Sequence, residues 1–190
     1  MTKKYRLLAV LLAAALLLGT AVLPASAAPE TAEAKAGELY SLGLFKGTGT
    51  RSDGTPEYDL GATATRSAAA TMLVRLLGKE SEAQSQYSAG TISAPFTDLE
   101  DWAAANVAWL YTNGLTSGTG ESTYSGTSNV SAQQFATFIL RALGYSDSGS
   151  NPDFSYDKAL TFAVDKQVIT SAQSTALQAD FRREGIVEMC

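Results

Sequence analysis

Apolar residues recur along this chain at the spacing of one buried helical face. Ala103, Val107 and Leu110 stand at i, i+4 and i+7, and Ala32, Ala36 and Leu39 show the same stripe earlier. After the later stripe, Asn113-Gly114 supplies a left-handed helix stop. A second kind of helix is predicted from Ser131, because Gln134 three residues on completes a capping box, in which each side chain satisfies a free backbone N–H. Its stripe is Phe135, Phe138, Ile139 and Ala142, ending at Gly144. Ala69, Met72, Leu73 and Leu76 form the same stripe before Gly78.

These elements repeat in order. Gly43-Leu44-Phe45-Lys46-Gly47-Thr48-Gly49 matches Gly114-Leu115-Thr116-Ser117-Gly118-Thr119-Gly120, and Thr71 to Gly78 matches Thr137 to Gly144. Each unit therefore reads as helix, glycine loop, helix. A weaker third unit keeps the first-helix spacing in Tyr156, Leu160 and Ala163, and Phe181-Arg182-Arg183 stands where Ala64-Thr65-Arg66 and Val130-Ser131-Ala132 stand. Its glycine loop is lost. Continuing its stripe puts Ile186, Met189 and Cys190 at core positions, with Cys190 as a small buried hydrophobe. The third helix stops about one turn before its sisters, which suggests a truncated unit or one completed by another segment. The expected organisation is unit one over 28–78, a linker over 79–95, unit two over 96–144, a linker over 145–153 and unit three over 154–190. Both linkers are rich in Ser, Gly, Ala and acidic residues and read as exposed. The fold expected is all-α.

The first residues bear on compartment. Lys3, Lys4 and Arg6 precede an apolar run from Leu7 to Leu18, and Ala25-Ser26-Ala27 offers small residues for cleavage, the pattern of a secretory signal peptide over 1–27. The run falls short of the ~20 residues that span a bilayer, so the membrane is expected to matter only during export. Removing 27 of the 190 residues leaves 163, enough for one domain with a real core. Three basic residues leave with that segment, taking the formal charge from −5 to −8, so no basic track for nucleic acid remains. Cys190 is the only cysteine, which excludes an intrachain disulfide. Histidine is absent, which removes the commonest general base and metal ligand.

The paired motifs resemble the S-layer homology domain family, whose pattern runs F-x-D, W-A, an apolar helix, a glycine loop and then T-R-A-E. Unit two shows Phe96-Thr97-Asp98 and Trp102-Ala103, and unit one shows Thr65-Arg66-Ser67-Ala68 leading to Arg75-Leu76-Leu77-Gly78. The resemblance implies a pseudo-threefold bundle that binds secondary cell-wall polysaccharide, often pyruvylated, in grooves between units. It further implies that the motif's arginine grips the ligand's carboxylate, which points to Arg66 and Arg183. Ala132 replaces that arginine in unit two, so the corresponding groove is expected to be weak. Asp98 and Trp102 complete the set that would face Arg66 across one groove.

Physical chemistry separately favours Arg66. A cation in a helix's first turn opposes the macrodipole at a cost of about 0.3–1 kcal/mol, and an anionic ligand held by free helix N–H groups and the guanidinium fork would compensate. The alternative is an arginine paired with a nearby carboxylate. Trp102 is open to two readings, sugar stacking or core, and Asp98 to two, a sugar hydroxyl or the cap of its helix. Gly47, Gly49, Gly118 and Gly120 are turn glycines rather than a phosphate loop, since neither a preceding strand nor a Gly-Lys-Ser/Thr accompanies them. Ser52 to Asp59 lacks the ligand alternation of a calcium loop, so neither metal nor cofactor is expected.

The function expected is a non-catalytic module that holds an exported protein on a bacterial cell wall. Two other readings remain: a surface-lattice module acting by self-association, and part of a wall-active hydrolase. For the last, Glu100 and Asp101 are the nearest carboxylates, but they are adjacent on a helix and point apart.

Overall fold

The computed structural model describes residues 31–190 of the chain, so the predicted signal peptide lies outside the described residues. The expectation of an all-α fold is met: the described residues form eight α-helices and a single two-stranded hairpin. Unit one begins with α1 (Ala32–Ser41), capped by the Thr31 hydroxyl and closed by Gly43 at φ 73°. The antiparallel strands β1 (Gly49–Thr50) and β2 (Pro56–Glu57) follow. Between them Asp53 accepts from the Thr55 N–H and hydroxyl, so this acidic loop is a hairpin turn. Next comes α2 (Arg66–Leu76), whose Thr65 hydroxyl accepts from Ala68 N.

Lys79 to Pro95, expected as an exposed linker, is largely exposed but folds locally. It contains α3 (Glu80–Ser88), with Ala83 fully buried and Ile92 8 % exposed. The composition misled because this helix buries one small face: Ala83 packs down while Glu82 accepts from the Trp109 indole and Glu80 takes both Nε and Nη2 of Arg75. It lies mainly against α4 (Asp101–Thr112), whose predicted stripe Ala103, Val107 and Leu110 is wholly buried. Then α5 (Ala132–Ala142) starts with the predicted Ser131–Gln134 capping box.

In unit three a 3-10 turn (Tyr156–Lys158) runs into α6 (Ala159–Asp165), and α8 (Arg183–Glu188) is the second-helix counterpart. Where the glycine loop was lost the chain forms α7 (Ser171–Ala179), with a Thr170–Gln173 capping box that sequence inspection passed over. Ile186 and Met189 are buried as expected. Cys190 is exposed instead, because α8 ends at Glu188 and the last residue lies past the helical register. The core runs through all three units, with Phe45, Tyr124, Phe135 and Leu110 fully buried, each such side chain worth about 1.5–3 kcal/mol.

The units meet in a repeated way. The N–H groups of Arg66 and Ser67 donate to the Ser128 and Gly126 carbonyls of the unit-two loop. Those of Arg183 and Glu184 donate to Ala62 and Leu60 in the unit-one loop. Two second helices, α2 and α8, thus begin on the loop of another unit, and a Lys35–Glu188 ion pair ties α1 to α8.

The glycine loops are tight for a packing reason. A Cβ on Gly118 would lie 2.5 Å from the Gly120 carbonyl and 2.6 Å from Phe96 Cε1, and one on Gly47 would collide with the Glu57 carbonyl. Gly118→Ala should therefore cost about 1–3 kcal/mol of stability, as overpacking does, and lower the thermal midpoint followed by circular dichroism. Gly120→Ala should have a much smaller effect, since a Cβ there meets only Thr123 at 3.7 Å.

Candidate functional site

Arg66 is the first residue of α2 and is only 5 % exposed. Its guanidinium lies over the ring of Tyr124, 4.6 Å from the centroid, and 5.1 Å from that of Phe138. One nitrogen, Nη2, donates to the Ser117 carbonyl at 2.6 Å. The buried Nε has no hydrogen-bond partner. Desolvating a cation costs several kcal/mol, and the two aromatic faces return about 2 kcal/mol, so the charge is under-compensated. Burial is also the main cause pulling the Arg66 pKa below its ordinary value, with Arg141 a smaller push in the same direction, yet an arginine remains charged at neutral pH.

The guanidinium opens onto a cavity of about 390 Å³. The glycine loop supplies one wall through Ser117, Gly118 and Thr119. The other is built by Gln134, Thr137, Phe138 and Arg141 of α5, with Asp147 and Tyr156 beyond. No carboxylate pairs with Arg66 among the described residues, since Asp147 is held by Arg141 through Nε and Nη2, both at 2.8 Å. The segment 145–153, read as a linker, thus contributes a side chain that is 9 % exposed. That pair fixes Arg141 in place and leaves Arg66 as the cation without a counter-charge on the cavity wall.

The helix-terminus contribution expected at Arg66 is overturned. The N–H groups of Arg66, Ser67 and Ala68 are already taken by Ser128 O, Gly126 O and the Thr65 hydroxyl, so an anion could be held only by the side chain. The loop that occupies them is set by Asp98, whose two carboxylate oxygens accept from Tyr124 N at 2.7 Å and Ser125 N at 2.8 Å. These bonds hold the Asp98 pKa below the usual carboxylate range, Tyr124 N–H being the larger cause.

Asp98 therefore shapes the loop beside Arg66; it neither caps α4 nor lines the cavity. Trp102 is likewise neither core nor part of the cavity: it is 52 % exposed and its indole donates to Glu100. The third expected residue, Arg183, repeats the Arg66 arrangement at the other junction. It lies 5.0 Å over Phe45, with Nε donating to Tyr58 O and Nη2 to Lys46 O. Both of those nitrogens are satisfied, unlike Arg66 Nε. Burial is again the main cause lowering its pKa.

Sequence reasoning passed over Tyr124, Phe138, Arg141 and Asp147. One signal was present, because Arg75 and Arg141 recur at the same place in the repeated block, each with an acidic residue shortly after the closing glycine. Glu80 and Asp147 are those residues, and both are pulled below the usual carboxylate range chiefly by their arginine hydrogen bonds. Among the described residues no cluster of three or more Asp, Glu or Cys could hold a metal ion, and no helix is long and apolar enough to cross a membrane.

Comparison with known proteins reaches one wall of this site, Ser117, Gly118, Thr119 and Gln134, and leaves Arg66 outside the matched segment. Residues 95–136 match the S-layer homology domain, covering Asp98, α4, the glycine loop, Tyr124 and the first turn of α5. The resemblance first drawn from the motifs therefore has support over this segment. A cell surface protein of Thermoanaerobacter kivui is 30 % identical over 111 residues, an alignment that covers 57 % of this chain and 14 % of that relative. The chain thus aligns to a small part of the curated relative it matches.

Because the Asp147 carboxyl is depressed in the folded state, the stability it lends is present above the ordinary carboxylate pKa of about 4 and is lost as pH falls through the folded value. Asp147→Asn should lower stability at pH 7 by about 1–3 kcal/mol. It should also flatten the loss of thermal midpoint below about pH 4 relative to wild type, measured by melts at each pH.

Proposed function

We propose that this chain is a non-catalytic anchor that holds the exported protein carrying it on a bacterial cell wall, by binding an anionic secondary cell-wall polysaccharide through Arg66. The observation that carries the reading is a buried guanidinium with an unsatisfied Nε, a cavity in front of it and no pairing carboxylate. A carboxylate offers what is missing, a charge and an acceptor for Nε–H, in a desolvated setting where charge-assisted bonds are strongest. A pyruvyl acetal on a sugar carries that carboxylate on a compact frame of a size the cavity accommodates. The S-layer homology match and the cell surface name of the relative support the anchoring role.

Specificity follows from the walls. Arg66 supplies the charge and the Gln134 amide nitrogen a donor, since the Gln134 oxygen accepts from Ser131 N and the Thr137 hydroxyl donates to the Gln133 carbonyl. The chain's overall charge is negative, so long-range attraction to an anionic polymer is absent and binding rests on this local cation. Arg183 is the counterpart at the other junction and is assigned the weaker role, since backbone carbonyls take two of its nitrogens.

Co-sedimentation with purified sacculi tests the proposal. Wild type should pellet with walls bearing a pyruvylated polymer and stay soluble with walls stripped of it. Arg66→Ala should weaken binding by about 10- to 100-fold with helicity retained, the loss of one charge-assisted contact. Arg183→Ala should weaken it less, and raising the salt concentration should reduce retention. Wild type remaining in the supernatant, or Arg66→Ala pelleting as wild type does, would overturn the assignment.

A further inference from the structure

Two cations and one anion line the Arg66 cavity. Arg66 and Arg141 stand on its walls with Asp147, and no other charged side chain does so among the described residues, so the cavity carries a single net positive charge. Arg141 acts on the same space as Arg66: burial is the main cause lowering the Arg66 pKa, and the charge of Arg141 lowers it further. Left to itself, this pair of guanidiniums would suit an anion of charge −2. Asp147 cancels one of them.

The cancellation is held firmly. Asp147 takes Nε and Nη2 of Arg141, both at 2.8 Å, in a pair whose side chains are only 15 % and 9 % exposed. Such a bidentate pair does not open for an arriving anion, because freeing Arg141 would leave the carboxylate buried and unpaired. A singly charged group at Arg66 brings the charge of the cavity to zero. A doubly charged one leaves an excess negative charge beside Asp147 in a part-enclosed space of low dielectric, where like charges repel far more strongly than in water.

The repeat supplies an independent observation. Arg75, at the register of Arg141, gives Nε and Nη2 to Glu80 Oε1 at 2.9 and 2.8 Å, and Lys46 of the unit-one glycine loop approaches Glu80 Oε2 at 3.7 Å. The acid comes two residues after the closing glycine in unit one and three residues after it in unit two, and it sits on a helix in the first case and on an irregular segment in the second. Neutralisation of the second arginine is thus kept where the local structure around it is not.

We propose that Asp147, acting through Arg141, sets the charge this site accepts: it is a positioning residue that makes the Arg66 cavity select singly charged anions over doubly charged ones of similar size. This rests on the Arg66 reading, and the test separates the two. The full chain is titrated calorimetrically at about pH 8 with the methyl glycoside of a pyruvylated N-acetylhexosamine, a monoanion, and with the phosphate monoester of the same glycoside, a dianion there because its second pKa is about 6. Wild type should bind the carboxylate probe about tenfold more tightly than the phosphate. Asp147→Asn, which adds a positive charge to the cavity, should move that ratio about tenfold toward the phosphate. Arg141→Gln should weaken both probes, and Arg141→Gln combined with Asp147→Asn, which restores the single charge without the pair, should recover the wild-type preference; circular dichroism checks that each variant is folded. A pair that served only to staple α5 to the following segment would shift both affinities together and leave their ratio alone. A ratio unmoved by Asp147→Asn, or wild type that binds the phosphate as tightly as the carboxylate, overturns the charge selection and leaves the Arg66 reading intact. Wild type that fails to bind the carboxylate probe overturns both.

Discussion

The structure depends on how the start of one unit's second helix is joined to the loop of another. At α2 the backbone donors of Arg66 and Ser67 are given to Gly126 and Ser128, which removes the usual attraction of a helix start for anions and places the first side chain of the helix in the protein interior. That side chain is an arginine. Its charge opposes the helix dipole, is desolvated, and is met by two aromatic faces and one carbonyl in place of a carboxylate. The cost is accepted locally because the surrounding packing fixes everything else: Asp98 pins the loop from one side, and the Arg141–Asp147 pair removes the nearest counter-ion from the other.

Under the proposed function this arrangement predicts sites of unequal strength within the same fold. Arg183 makes the same backbone join and the same aromatic stack, but two of its nitrogens end on carbonyls, so less is left to offer a ligand. At the third second helix the residue is Ala132, buried at 4 %, and no cation is supplied at all. One architectural rule, a helix start seated on another unit's loop, is thus filled by an arginine at both α2 and α8. What differs between them is the unsatisfied hydrogen-bonding capacity each leaves behind.

Much of this was legible in the sequence where a local rule governs. The stripes Ala103-Val107-Leu110 and Phe135-Phe138, the capping box at Ser131 and the left-handed Gly114 and Gly43 all follow from period and turn chemistry. Arg66 was pointed to by the family resemblance, with its place against the helix dipole as separate support. What the sequence hid was tertiary. The helix over Glu80–Ser88 looked like a linker because its buried face is a single alanine, and α7 arose where a glycine loop was lost. Asp98 and Trp102 were adjacent to the right segment but were assigned to the groove itself. Their partners, the Tyr124 and Ser125 N–H groups and Glu100, are set by a loop path that spacing does not reveal. Cys190 fell out of the core because helical periodicity was extended past the helix.

The central claim is that Arg66 Nε–H is a buried, unpaired donor in the free protein and becomes occupied when the anion binds. Nitrogen-15 side-chain NMR of the arginines reads this at one atom, during titration with a pyruvylated hexosamine glycoside. The account predicts that the Arg66 Nε–H resonance moves to the position of a charge-assisted hydrogen bond and is protected from exchange, while that of Arg141, already bonded to Asp147, stays nearly fixed. An Arg66 resonance unchanged at ligand saturation, with the shift appearing at another arginine, would contradict it.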